Sequence, residues 1–206
     1  MNRKLLKSIR EYKKESILAP IFVVLEVLME VLIPLQMSKI IDVGIQQGNL
    51  KYIVVMGLIL VVMAMLALFF GAKAGTYAAR AGAGYAKNLR HDIFYKIQTF
   101  SFHNIDHFST SGLVTRLTTD ITNLQMAYMM SIRLLARAPI MIILSLIMTM
   151  TINIPIAIIL LVTIPILGGV LIFIAKKAHP NFIQVFDEYD VLNNTVQENV
   201  NAARVV

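Results

Sequence analysis

Two glutamates, Glu26 and Glu30, interrupt an otherwise apolar stretch over residues 16–35. Four residues apart on a helix, they share one face. A carboxylate at membrane depth is costly and normally faces a protein interior or a water-filled cavity. The pair therefore offers either a polar wall that attracts a cationic or polar solute, or two protonated or hydrogen-bonded carboxyls that fasten one helix to the next. His91, His103 and His107 carry donor atoms for a metal, the last two at i, i+4 spacing. With no cysteine in the chain and few carboxylates nearby, no metal site is expected, and disulfides are excluded. The run Gly82, Ala83, Gly84 lacks both the third glycine of a dinucleotide loop and a preceding strand, so it is not read as a phosphate cradle.

The elements that hold these residues cross a membrane. Hydrophobic residues make up 57% of the chain, which places it among integral membrane proteins. Residues 52–72 and 138–175 carry no charge. The second run is too long for one crossing (about 57 Å as a helix) and holds Asn153 and Pro155 near its middle. It is read as two spans joined by a minimal turn. With the stretch around Glu26, the expectation is an all-α polytopic membrane protein with four spans, at about 16–37, 53–72, 132–152 and 155–175.

Charge orients them. Of the 19 Lys and Arg, six precede the first span, eight lie from Lys73 to Arg137, and three follow the last span, while only Lys39 and Lys51 fall on the other side. This asymmetry puts the N-terminus, the middle segment and the C-terminus in the cytoplasm. Because the positive charges are spread along the spans and not clustered, no nucleic-acid partner is expected. Residues 1–15 set Leu5, Leu6, Ile9 and Tyr12 on one face against six basic residues, a pattern for an interfacial helix along the inner leaflet or for a plain basic tail. Arg133 and Arg137, where the third span begins, are expected to reach out to the headgroups.

Residues 73–131 form a cytoplasmic hairpin, with its tip at 102–111. The helical pattern that starts at Ile53 runs without proline to Thr99. At about 1.5 Å per residue, it is more than twice as long as a hydrocarbon core of about 30 Å requires. The surplus stands in water. Two rows of small residues, Gly71, Gly75, Ala79, Ala83 and Ala74, Ala78, Gly82, Ala86, suit close packing of this helix on a neighbour. At the tip, Phe102, Ile105 and Phe108 form an apolar knob among His103, Asn104, Asp106 and His107. Asn104 can cap a short helical turn, and Ser109, Thr110 or Ser111 the descending helix. An exposed apolar cluster marks a partner surface, although the phenylalanines could instead close the hairpin on itself. Residues 176–206 extend the last span as a cytoplasmic helix with neither a glycine cap nor a proline to close it, so that helix is expected to continue past Val206.

Two segments resemble the membrane domain of bacterial ABC exporters of the multidrug and lipid type. Residues 108–120, Phe-Ser-Thr-Ser-Gly-Leu-Val-Thr-Arg-Leu-Thr-Thr-Asp, are similar to that family's F-S-T-G-x-L-x-S-R-x-x-x-D element through Ser109, Thr110, Gly112, Arg116 and Asp120. The glycine falls one place late, with Ser111 where glycine is usual. Residues 196–206 resemble its V-Q-E-N-L-x-G-I-R-V-V element through Gln197, Glu198, Asn199 and Arg204, with Ala202 in place of glycine. Asp42, Val43, Gly44 and Ile45 are similar to members built from two subunits. The resemblance implies that residues 102–108 are a coupling helix seated in a nucleotide-binding domain. It also implies a second transporter half, homo- or heterodimeric, a bacterial cell-membrane location, and export of an amphipathic drug, lipid or peptide.

The family pattern calls for six spans and an ATPase domain, whereas four spans are read here. No Gly-Lys pair occurs, so these residues hold no phosphate loop and no catalytic residue for ATP hydrolysis. No cofactor is expected in this segment. ATP and Mg belong to the full-length protein. Glu26 and Glu30 could face the translocation route. Two other functions compete: an ion-coupled carrier that uses the two carboxylates as a proton site, and a non-transporting membrane scaffold whose tip recruits a partner.

Overall fold

The computed structural model describes residues 7–100 and 110–202, which are almost wholly helical. A 3-10 turn, Lys7–Tyr12, leads into α1, Lys13–Lys39, which passes into a π-helical turn, Ile40–Ile45. Then follow α2, Leu50–Gln98, and, after the tip, α3, Thr110–Thr115. A second π-helical turn, Arg116–Asp120, joins α3 to α4, Ile121–Ile152, and α5 is Ile154–Ala202. No strand occurs among the described residues. Four helical stretches, Lys7–Ile45, Leu50–Gln98, Gly112–Ile152 and Ile154–Pro180, are long and apolar enough to cross a membrane.

Local chemistry explains where these helices start and stop. Gly48 takes the left-handed backbone (φ 65°) that a side chain disfavours. The next residue, Asn49, accepts the Tyr52 amide at 3.1 Å and caps α2. With neither proline nor a turn signal inside, α2 then runs for 49 residues, about 74 Å. Between α4 and α5, the Asn153 side chain accepts from the Ile156 amide at 3.2 Å. Pro155 falls in the first turn of α5, where no amide is needed. One residue therefore suffices to break the long apolar run.

The chain divides into two compact units, residues 1–145 and 146–206. In the first, α1 and α2 run antiparallel in a register that close contacts fix along their length. Gly44 faces Ile53, Glu26 faces Gly71, Phe22 stacks on Tyr77 at 5.4 Å, and Tyr12 lies against Gly84. Two apolar clusters hold this pair to α4. Val23, Val27 and Ala74 pack with Val31, Ala136, Ile140 and Leu144. Farther along α2, Tyr85, Ala86, Leu89 and Ile121 pack with Ile9, Ile93, Leu117 and Tyr128. Tyr85 stacks on Tyr128 at 4.6 Å, and burial first, then that neighbour, raise its phenol above the usual range.

Of the two small-residue rows in α2, one is buried: Ala74, Ala78, Gly82 and Ala86. Gly82 abuts the Gln125 carbonyl and Met129, a contact that only a small residue permits. Ala79 and Ala83 of the other row are exposed. Adjacent rows point in different directions around the axis, so a single groove takes only one of them. The second unit consists of the end of α4 and all of α5, which stays helical through Pro165 and Pro180.

Candidate functional site

The best-defined polar cluster joins α1 to α4. Arg137 donates through Nη1 to Glu26 Oε1 at 3.1 Å, and through Nη2 to both oxygens of Glu30 at 2.8 and 2.7 Å. The side chains of Glu26, Glu30 and Arg137 are 14%, 32% and 38% exposed. Glu26 also leans on α2: a Cβ on Gly71 would stand 2.9 Å from its Oε1, so glycine is what lets the carboxyl pack there. Its other oxygen, Oε2, is buried without a hydrogen-bond partner among the described residues. Gly71 sits in the last turn of the uncharged run of α2, two residues before Lys73. The cluster thus stands level with the end of that apolar segment, and not with its middle.

Arg137 corrects one expectation. It turns inward to the carboxylates, where a surface position at the headgroups was anticipated. Two half-buried glutamates leave unbalanced charge unless a cation reaches them, and a guanidinium fork fits a carboxylate edge. Sequence reading missed the pairing because 107 positions separate Glu30 from Arg137. The signal was present in the requirement itself, since a carboxylate withdrawn from water needs a partner.

A second polar cluster fixes the N-terminal segment to the far part of α2. Asn88, which is buried, donates to the Ser8 carbonyl at 3.0 Å and to Glu11 at 3.4 Å. Asp92 accepts from Ser8 Oγ at 3.1 Å and from Arg10 at 2.7 Å. Arg10 holds an unusual backbone, φ 40°, at the bend where these bonds are made. Ser16 shares a hydrogen bond with Tyr128 of α4 at 2.9 Å. Tyr12 presses so closely on Gly84 that a Cβ there would overlap its ring. The described part of the expected interfacial segment therefore lies along α2, level with residues 84–92. Arg90 completes the bracing by donating through Nε to the Leu117 carbonyl at 3.0 Å, inside the second π-helical turn.

The tip residues expected to grip a partner, Phe102, His103, Asn104, Ile105, Asp106, His107 and Phe108, lie outside the described residues, as do Ser109 and Arg204. Thr110 opens α3 and Gly112 follows inside it. Arg116 and Asp120 are the first and last residues of the π-helical turn, so the R-x-x-x-D spacing coincides with a local widening of the helix. Gln197, Glu198 and Asn199 belong to α5. The structure brings Glu26 and Glu30 together on Arg137 and keeps the motif residues of 110–120 on a separate helix from them.

Helices of this length and apolarity, with two of them joined by a half-buried charge cluster, define a multi-pass membrane protein. Residues 16–206 match the family model described as the ABC transporter transmembrane region, and the chain belongs to that family. It is 32% identical over 204 residues to the uncharacterized ABC transporter ATP-binding protein YfiB of Bacillus subtilis, covering 99% of this chain and 36% of that protein. An uncharacterized ABC transporter ATP-binding protein of Mycobacterium tuberculosis is 27% identical over 198 residues, 96% of this chain and 34% of its own length. A putative ABC transporter ATP-binding protein of Mycoplasma genitalium is 28% identical over 153 residues, 74% of this chain and 25% of its own. The chain spans about a third of the length of the first of these curated relatives.

Proposed function

We propose that the chain is the membrane-spanning part of an ATP-driven exporter, lining the translocation route and linking it to a nucleotide-binding domain. The observation that carries this reading is α2, an unbroken helix of 49 residues whose uncharged part ends near its middle. The remainder, braced by the N-terminal segment and by Arg90, forms a stiff arm ending at the tip. A rigid arm can pass closure of an engine domain to the spans and so alternate the route between inside and outside. The relatives' designation as ATP-binding proteins supports such an engine in the whole polypeptide. A second half, identical or related, completes the pathway in the bacterial cell membrane, with the N-terminus cytoplasmic. The exported compound is an amphipathic drug, lipid or peptide. ATP and Mg act in the nucleotide-binding domain, outside these residues.

In this reading Glu26 and Glu30 border the route near its cytoplasmic mouth. A proton-coupled carrier would need them free to take up and release protons, whereas Arg137 bonds both. The coupling role is tested by combining Phe102→Ala with Phe108→Asp in the complete transporter. Nucleotide hydrolysis should persist without driving export. Export that remains proportional to hydrolysis would reject the tip as the coupling element.

A further inference from the structure

We propose that the cavity beside Glu26 and Glu30 binds the headgroup of a zwitterionic, primary-amine phospholipid of the inner leaflet. The cavity measures about 310 Å³, and its lining includes Glu26 and Glu30 from α1, Arg133 from α4, and Ala67, Leu68 and Gly71 from α2. Its walls therefore carry both signs of charge and an apolar face.

Arg137 does not exhaust the carboxylates. Two glutamates share one guanidinium, and each carboxylate oxygen can accept a second bond. One negative charge is left unbalanced in a half-buried place, where such an excess is costly. Arg133, one helical turn before Arg137, lines the same cavity and makes no ion pair within 4.0 Å among the described residues. A cation and an anion separated by an open space are matched by a ligand that carries the opposite pair. An ammonium meets Glu30 and Glu26, and a phosphate meets Arg133.

Depth selects a lipid over a soluble zwitterion with the same groups. Gly71 lies at the end of the 52–72 run, with Lys73 two residues on, so the charged walls stand level with headgroups. Leu68, 71% exposed, carries the apolar wall back along α2 toward the hydrocarbon, as an acyl chain requires. A choline headgroup has no N–H to donate and is bulkier, and a glycerol headgroup has no cation. Both should bind less well. The site rests on the membrane assignment and on no feature of the coupling tip.

The test uses the full-length protein, reconstituted without nucleotide in nanodiscs of equal phosphatidylethanolamine, phosphatidylcholine and phosphatidylglycerol, with retained lipid counted by native mass spectrometry. Phosphatidylethanolamine should be retained over each of the others by about tenfold, the worth of one hydrogen bond to a charged group. Glu30→Gln and Arg133→Gln should each erase that preference. Ala67→Phe, which fills the cavity without touching the ion pairs, should erase it too in a protein of unchanged fold. Equal retention of the three lipids by the unaltered protein overturns the proposal, as does a preference that survives Ala67→Phe. Displacement of the lipid by soluble phosphoethanolamine would mark a solute site and overturn it as well. Because no nucleotide is present, a failed coupling role for the tip leaves this result unaffected.

Discussion

Single residues set how tightly α1, α2 and α4 are joined. Removing one partner of a half-buried charged pair leaves the other underbonded, at a cost of about 1–3 kcal/mol. Glu30→Gln, which gives up one charge and weakens both bonds from Arg137 Nη2, should lower the unfolding temperature in detergent. In the complete transporter it should also reduce export of cations more than export of neutral compounds. An equal loss for both classes would remove Glu30 from the route. Gly84 offers a purely steric test, because Tyr12 occupies the place of a side chain. Gly84→Val should destabilise by about 1–3 kcal/mol through overpacking, and Tyr12→Ala in the same chain should restore part of it. If the double variant is no better than the single one, the close approach of Tyr12 and Gly84 is not what limits that site. The need of Glu26 and Glu30 for a partner was legible in the sequence. The identity of that partner was not, since it lies on a helix more than 100 positions away and only the packed register selects Arg137 over Arg133.

At the scale of elements, the helices followed from local rules more fully than the contacts between them. Absence of proline from 53–99, Asn49 as a cap, and Asn153 before Pro155 all act within a few residues of where they matter. The brace between Lys7–Tyr12 and α2 could not be read so, because Asn88 and Asp92 look like any other polar residues on a water-exposed helix. Two predictions belong here. Asp92→Asn removes the acceptor charge that holds Arg10, an exposed pair worth less than about 1 kcal/mol. Its effect should be local: faster amide exchange over residues 7–12 with little change in global unfolding, whereas unchanged exchange there would mean that Asn88 and the apolar contact of Ile9 fix the segment without Asp92. Ala79→Pro, at an exposed position on α2, kinks the arm at a cost of about 3 kcal/mol. It should uncouple export from nucleotide hydrolysis while leaving both domains folded. Full coupling would mean that the arm need not be stiff.

For the whole molecule, membership of the ABC transporter transmembrane family fixes the architecture, and the coupling proposed above rests on the length of α2. The chain spans about a third of the first of its curated relatives, so the route and arm proposed above belong to its own residues, and the proposed engine lies in the rest of the polypeptide. These residues contain no native cysteine, so a thiol introduced among them is unique within them, and any cysteine elsewhere in the polypeptide is first replaced by serine. The most direct measurement places one cysteine at Asn104 and, separately, one at Gly48 in the full-length protein in membranes, followed by short-range cross-linking and mapping of the attached segment. Asn104→Cys should join to the nucleotide-binding domain, and more so with nucleotide bound, while Gly48→Cys on the opposite side should not. Attachment of Asn104→Cys to lipid alone, or of Gly48→Cys to the nucleotide-binding domain, would contradict the account.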